Sequence, residues 1–404
     1  MSELFGLFGK NSKSEQINIS NKLKNSFSKI NYGNNEIKKD KIKIIDLNNF
    51  IIGIASNNDF SQYKNNIFIN VFGSIYNKRE IIDLNNCTSK DYLIEIYLKF
   101  GFEYLLNQIN GDFIINIYDK NINKLYIARD RVGLRSLYYR KYENYFIFSS
   151  RLSLINNYTN TYDLDEDFVI RYAGYHYRYI DNEPNLSPYK DLNQLPASYY
   201  LDLNLGDIEK NYNRIQYKKW WHLEEKSKFF FKPINENDLA EEYKDLILSS
   251  VKMRLQSSQN YAFTLSGGMD SSTVLASAVN ICNTKMPAYS TTYKDKTYDE
   301  SDEIRSMLDG YVSNWIQNEI DNLDIVAIIN KMLMANDEPV ATATWLSHFI
   351  LSEQIYNSGF KSVFGGLGGD ELNGGEYEYF FYNFADILKQ KNIDQYNYEV
   401  NKWI

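Results

Sequence analysis

The run Tyr261-Ala-Phe-Thr-Leu265, rich in strand formers, enters the turn Ser266-Gly-Gly268, and a helix-compatible segment, Ser271-Ser-Thr-Val-Leu-Ala-Ser-Ala278, leaves it. This stretch constrains the chain most. A strand, a glycine turn and a helix start, in that order, aim unpaired backbone amides at an anion. Gly267 and Gly268 let the backbone come close to a ligand. Ser266, Ser271 and Ser272 add hydroxyl donors beside those amides. Asp270 by itself would repel a phosphate, but it suits a magnesium ion carried by a nucleotide. The stretch therefore predicts an ATP site built on Leu265, Ser266, Gly267, Gly268, Asp270, Ser271 and Ser272, with ATP and Mg2+ as cofactors. No lysine follows the glycines, which excludes a Walker loop, and their adjacency excludes the dinucleotide fingerprint.

With 404 residues there is room for two or three domains. A net charge of −8 argues against nucleic acid or an anionic membrane as partner. The 2 cysteines, Cys87 and Cys282, predict neither a disulfide framework nor a cysteine metal site, which suits a reducing cytoplasm. His176, His222 and His348 are too scattered for a zinc motif. No apolar run approaches the ~18 residues of a membrane span, so a cytoplasmic location is expected.

Strand-like runs crowd the first 150 residues: Leu4–Phe8, Lys43–Asp46, Phe50–Ala55, Ile67–Phe72, Phe113–Tyr118, Lys124–Ala128 and Tyr145–Ser149. One helix is predicted from Ser89 to Phe100. Many strands and few helices read as an α+β domain. Asn110-Gly-Asp-Phe113, Tyr118-Asp119 and Ala128-Arg-Asp-Arg-Val-Gly-Leu-Arg-Ser-Leu-Tyr-Tyr139 resemble the glutaminase domain of class II glutamine amidotransferases. Followed by Ser-Gly-Gly-Met-Asp-Ser-Ser, itself similar to the pyrophosphate loop of ATP pyrophosphatases, they resemble glutamine-dependent asparagine synthetases. The resemblance implies an N-terminal-nucleophile sandwich, an α+β fold, over residues 1–200, a linker over 201–236 and an α/β ATP-pyrophosphatase domain with a parallel sheet over 237–404.

The glutaminase chemistry implied by that family is incomplete. Its nucleophile is a cysteine at position 2; this chain has Ser2, whose hydroxyl lacks the thiolate advantage. The family holds glutamine and the oxyanion with Asn-Gly-Glu; here the triplet is Phe72-Gly73-Ser74, and Phe72 donates no hydrogen bond. The family's substrate arginine lies upstream of that triplet, and this chain has no arginine before Arg79. Asp91 matches the ligand of the glutamine amino group. The domain is therefore expected to be a structural remnant, with Arg129, Asp130 and Gly133 fixing a turn and a domain contact.

Farther on, a helix is predicted from near Asn237 through Val251, Pro287–Thr292 reads as the next parallel strand, and Tyr298-Asp-Glu-Ser301 resembles the family's Asp-Glu-Ser helix start. Val363-Phe-Gly-Gly-Leu-Gly-Gly-Asp-Glu-Leu372 is a second strand with a glycine loop, and it resembles the family's Gly-x-Gly-x-Asp-Glu. The resemblance implies that Gly368 and Gly369 face phosphate and that Asp370 shares a magnesium with Asp270. It also makes Glu338, in Asp337-Glu-Pro339, the candidate general base, against the plainer reading of a solvated acid at a helix end.

The implied reaction is adenylation of a carboxylate, releasing pyrophosphate, and attack by ammonia, as in conversion of aspartate to asparagine. Two other readings stay open: an amide ligase of a peptide, sugar or antibiotic pathway with another acyl substrate, and a non-catalytic ATP-binding relative. The expected partners are small molecules (aspartate or another carboxylate, ammonia or glutamine), with a homodimer or a separate ammonia source left open. The family's lysine-bearing helical region is not found before Ile404, and Tyr398–Ile404 reads as an unfinished helix, so a continuation of the frame is expected.

Overall fold

The computed structural model describes residues 2–30, 37–56, 59–87, 91–175, 183–210, 216–223, 235–258, 260–297, 299–320, 323–339 and 344–403. His176 and Tyr298 lie outside them, as does Ser89, where the first helix was expected to begin. The chain divides into two compact units.

Unit 1 comprises Met1–Pro233 and Asp324–Leu346. Its strands are β1 (Glu3–Phe8), β2 (Ile42–Asp46), β3 (Phe50–Ala55), β4 (Asp59–Lys64), β5 (Ile67–Ile75), β6 (Gly111–Asp119), β7 (Lys124–Arg129), β8 (Tyr138–Tyr142), β9 (Tyr145–Ser149), β10 (Asn193–Gln194), β11 (Tyr199–Asn204) and β12 (Tyr217–Lys219). They form two antiparallel sheets, ordered β10-β8-β9-β1-β3-β2 and β12-β11-β7-β6-β5-β4. Both faces of each sheet are apolar, because each is covered twice. Leu4, Phe8, Phe50 and Ile52 of the first sheet meet Phe68, Phe72, Ile114 and Tyr118 of the second in one core. On the far side of the second sheet, Val71 and Ile115 pack with Leu93 and Ile96 of the helix Tyr92–Phe100. Phe5 and Leu7, alternating with Leu4 and Phe8, turn outward to Leu23 and Phe27 of the helix Lys13–Ser28. The result is the helix–sheet–sheet–helix layering expected of the sandwich.

That helix falls in a lysine- and asparagine-rich stretch with no element assigned from sequence. Its signature is nonetheless present. Ser12 and Glu15 form a capping box, in which the Ser12 N–H donates to Glu15 Oε2 at 2.7 Å.

The first break between the units, after Pro233, falls within the segment 201–236 read as a linker. The segment read as a linker contributes β12 and the end of β11 to the second sheet, and the Trp220 indole N–H donates to the Arg129 carbonyl at 3.1 Å. The residues expected to fix a turn do so: Asp130, fully buried, accepts from the amides of Val132, Leu134 and Arg135 at 3.0–3.1 Å.

Residues 324–346 were expected in the synthetase domain and belong to unit 1. A buried ion pair explains this. The Arg151 Nε donates to Asp337 Oδ2 at 2.9 Å, and its Nη2 donates to the Met334 carbonyl at 2.8 Å. The Ser153 amide donates to the same carboxylate at 2.9 Å. Asp337 itself is the left-handed C-cap of the helix Ile325–Asn336, at φ +61°.

Unit 2, Ile234–Leu323 with Ser347–Ile404, holds β13 (Tyr261–Thr264), β14 (Met286–Tyr293), β15 (Val312–Ile320) and β16 (Ser362–Phe364) in a parallel sheet ordered β15-β14-β13-β16. The helices Glu236–Ser257 and Met269–Cys282 share an apolar cluster with one face, through Val251, Leu255, Leu275 and Ala278. Leu351 and Ile355, of the helix Thr344–Asn357, cover the other. Among the described residues no helix is long and apolar enough to cross a membrane.

Replacing Arg151 by Met leaves the Asp337 carboxylate buried without its guanidinium, at a cost on the order of 3–5 kcal/mol. A fall in the urea midpoint, with faster amide exchange at Ser153 and over residues 324–339, is the expected result. An unchanged midpoint would refute this role for the pair.

Candidate functional site

Strands β13 and β16 are parallel neighbours, with Phe263 opposite Phe364, so their two glycine loops leave the same edge of the sheet side by side. Ligands of open parallel sheets bind beyond that carboxyl edge. The loops press together. A Cβ on Gly366 would stand 2.5 Å from the Ser271 nitrogen, and one on Gly369 would stand 2.1 Å from the Asp270 carboxyl carbon. Gly368 has φ +90°, a left-handed conformation that favours glycine. These glycines are therefore required by the approach of one loop to the other and by the turn.

Within the first loop, Leu265 is buried and its amide donates to the Tyr289 carbonyl at 2.9 Å, seating the turn on β14. The Ser266 amide donates to Ser271 Oγ at 3.0 Å, and the Gly268 amide donates to Ser266 Oγ at 3.2 Å. Ser271, buried, thus closes the loop from inside, while the Ser272 hydroxyl donates to the Gly268 carbonyl at 2.9 Å. The helix Met269–Cys282 starts at Gly268 with no side-chain cap. Its first-turn donors meet no capping side chain, as an anion site requires.

Asp270 lies against Gly369, one residue before Asp370, so the structure brings the two predicted metal ligands onto abutting loops. Their donors are carboxylate oxygens, the kind a hard divalent cation takes. Among the described residues no group of three or more His, Cys, Asp or Glu side chains stands ready to hold a metal. The two carboxylates fit a cation only if the remaining oxygens come from its ligand.

One participant was given no role from sequence. Glu300 Oε2 accepts from the Gly267 amide at 3.0 Å. Asp299 sets up this reach: its carboxylate accepts from the Tyr293 amide at 3.1 Å, the Ser301 hydroxyl at 2.9 Å and Lys296 Nζ at 2.7 Å. Lys296, the backbone amide and Ser301 hold its pKa down to about 2. The hold is thus fully present above the ordinary value of 3.8 and is lost as pH falls toward about 2. The signal was available in the acidic pair that follows β14 at the same carboxyl edge.

In unit 1 the predicted glutaminase residues lie on several elements. Ser2, exposed ahead of β1, lies 3.1 Å from Ser56 Oγ through its own hydroxyl. Phe72, on β5, is packed in the core between the sheets, with the Arg135 guanidinium 6.0 Å from its ring centroid. Gly73 has φ +120°, and a Cβ there would meet the Asp112 carbonyl oxygen at 2.0 Å. The glycine is thus explained by the β5–β6 pairing, which sets Ser74 opposite Asp112. Asp91 precedes the helix Tyr92–Phe100 and lies 3.8 Å from Lys64 Nζ, a cation shared with Glu95 at 3.7 Å. Glu338, the candidate base, belongs to unit 1. It is buried, and its Oε1 accepts from the Tyr138 hydroxyl at 2.8 Å.

Comparison with known proteins divides the chain near the first break between the units, and its C-terminal match runs on through residues 324–346 of unit 1. Residues 242–402 match the asparagine synthase family model, and residues 27–221 match that of a glutamine amidotransferase domain. A putative glutamine-hydrolyzing asparagine synthetase 2 of Methanocaldococcus jannaschii is 28% identical over 315 residues, 75% of this chain and 58% of its own length. Asparagine synthetase 2 of Bacillus subtilis, also named as glutamine-hydrolyzing, is 23% identical over 365 residues, 83% of this chain and 45% of its own. The amidase chyE of Penicillium rubens is 22% identical over 374 residues, 87% of this chain and 52% of its own. The chain spans about half the length of these curated relatives. A solved glutamine phosphoribosylpyrophosphate amidotransferase from B. subtilis aligns with 86% of this chain and 92% of its own at 9% identity, with a TM-score of 0.34. One polypeptide thus carries a match to a glutamine amidotransferase domain followed by a match to asparagine synthase, in the order that the sequence motifs suggest.

Proposed function

We propose that the chain is an ATP-dependent amide-forming ligase that adenylates a carboxylate, releases pyrophosphate and passes the acyl group to ammonia, with aspartate as acid and asparagine as product. The observation that carries the reading is the Gly267 amide, already bonded to an anionic oxygen in a loop abutting a second glycine loop. In the reaction, Ser266, Gly267, Gly268, Ser271 and Ser272 orient the β and γ phosphates, and the Gly368 amide closes on them from the loop after β16, whereas the Gly369 amide, expected to face phosphate, donates to the Gly366 carbonyl at 3.0 Å. Asp270 and Asp370 would hold Mg2+, which when bound offsets charge on the departing pyrophosphate. Glu338 keeps its proposed place as base or orienter of the amine.

Ammonia, free or from a partner, is the proposed nitrogen donor. Ser2 lacks the thiol, and Phe72 fills the core where a donor to the oxyanion would be needed. A second reading, another acyl substrate in the same chemistry, is favoured by the amidase among the relatives. A cytoplasmic setting accords with either.

AMP release by the protein with ATP, magnesium and aspartate should appear with ammonium and not with glutamine. Equal turnover with glutamine would sink the claim for Ser2 and Phe72, and AMP only with other carboxylates would select the second reading. Asp270→Asn or Asp370→Asn should lower magnesium-dependent AMP formation roughly a hundredfold with little change in melting temperature; an undiminished rate would remove the pair from the site. Ser2→Cys alone should leave glutamine hydrolysis at background, since the oxyanion donor is still missing. Hydrolysis restored by that single change would overturn the account of Phe72.

A further inference from the structure

Glu300 occupies the position just before the helix Ser301–Tyr311, where a side chain ordinarily caps its own helix. It makes no such bond. Its carboxylate reaches back 33 residues instead, to the Gly267 amide at 3.0 Å. The approach is made at the backbone: a Cβ on Gly267 would stand 3.1 Å from the Glu300 Cβ and 2.8 Å from the Glu303 Cβ. Asp299, tied to the end of β14 and to Ser301, fixes the helix start that delivers Glu300.

A carboxylate oxygen and a phosphate oxygen are the same kind of acceptor, and one N–H takes one of them well. Two anions on adjacent donors also repel each other. We propose that Glu300 is a built-in competitor for phosphate: it holds the Gly267 amide while the site is empty, yields it to a phosphate oxygen of the nucleotide, and takes it back as pyrophosphate leaves. The inference rests on the ATP reading above. The bond is exposed, weak enough to be exchanged and strong enough to weaken anion binding measurably. The role is that of a positioning residue: Glu300 keeps the loop amide aligned before the nucleotide arrives and lowers the affinity for product.

The test is calorimetric titration of the full chain with magnesium pyrophosphate and, separately, magnesium ATP, comparing wild type, Glu300→Ala, Glu300→Gln and Glu303→Gln. Freeing the amide and removing the charge should tighten pyrophosphate binding roughly tenfold in Glu300→Ala, with Glu300→Gln between it and wild type. Glu303→Gln, which removes a neighbouring charge without freeing the amide, should stay within about threefold of wild type. Damage to the fold would lower affinity, so a gain at an unchanged melting temperature is a readout that a merely structural role does not produce. Equal or weaker pyrophosphate binding by both Glu300 variants, with wild type still binding ATP, would overturn the competitor and leave the ATP reading standing. Failure of wild type and all variants to bind either ligand would overturn both.

Discussion

Everything proposed for the synthetase unit depends on the adjacency of β13 and β16. Parallel neighbours end at the same edge, so the two loops that follow them compete for one small space. The Asp270 carboxyl group lies where a side chain on Gly369 would begin, and the Ser271 backbone lies where one on Gly366 would begin. Any residue other than glycine at these positions would push the loops apart. The separation would undo the contact of Asp270 with the second loop, one residue before Asp370. Glycine content here is a packing requirement before it is a chemical one, and the chemistry uses the backbone that packing has exposed.

In unit 1 packing accounts for residues at the positions where the resemblance implies a glutamine site. The sandwich needs large apolar side chains between its sheets, and Phe72 supplies one, at roughly 2–3 kcal/mol of burial. A donor aimed at an oxyanion would instead need to keep its polar group available at the cost of that contact. Gly73 stays because the β5–β6 pairing leaves no room for a Cβ. Asp130 stays because three amides of the turn after β7 depend on it. Gly73 and Asp130 are thus accounted for by folding alone. Through the bond from Arg151 to Asp337, this unit also holds a segment that enters from, and returns to, the synthetase part of the chain.

Seven of the twelve described strands of unit 1 were legible because apolar runs of strand length alternate with turn residues, and the two glycine loops because their spacing is specific, whereas β4, β8, β10, β11 and β12 were not assigned from sequence. The helix Lys13–Ser28 was hidden by its lysines and asparagines, although Ser12 and Glu15 spell a capping box. The edge strand β15, with the mixed sequence Val-Ser-Asn-Trp-Ile-Gln-Asn-Glu-Ile, shows neither a period of two nor an apolar run, since only one of its edges is paired. The placement of residues 324–346 accompanies bonds from Tyr138, Arg151 and Ser153 to Met334, Asp337 and Glu338, groups 183 to 200 residues apart, which no local pattern encodes. Glu300 escaped for a related reason. Its motif was visible, but its target, a backbone amide, leaves no trace in side-chain chemistry.

The charge around the glycine loops accounts for the form in which an anion would be taken. Neither Tyr261–Thr273 nor Val363–Leu372 contains a lysine or arginine, while Asp270, Asp370 and Glu371 lie on the loops themselves and Glu300 and Glu303 beside them. Backbone dipoles alone orient a phosphate but do not outweigh several carboxylates. On the proposed reading, the loops bind polyphosphate only together with a divalent cation that cancels part of both charges. A Walker loop places a lysine at this point; here the same neutralisation would come from a metal that arrives with the nucleotide and departs with pyrophosphate. The acidic lining would then favour polyphosphate paired with a cation and disfavour the bare anion, because the same carboxylates that would hold the cation repel an unneutralised phosphate.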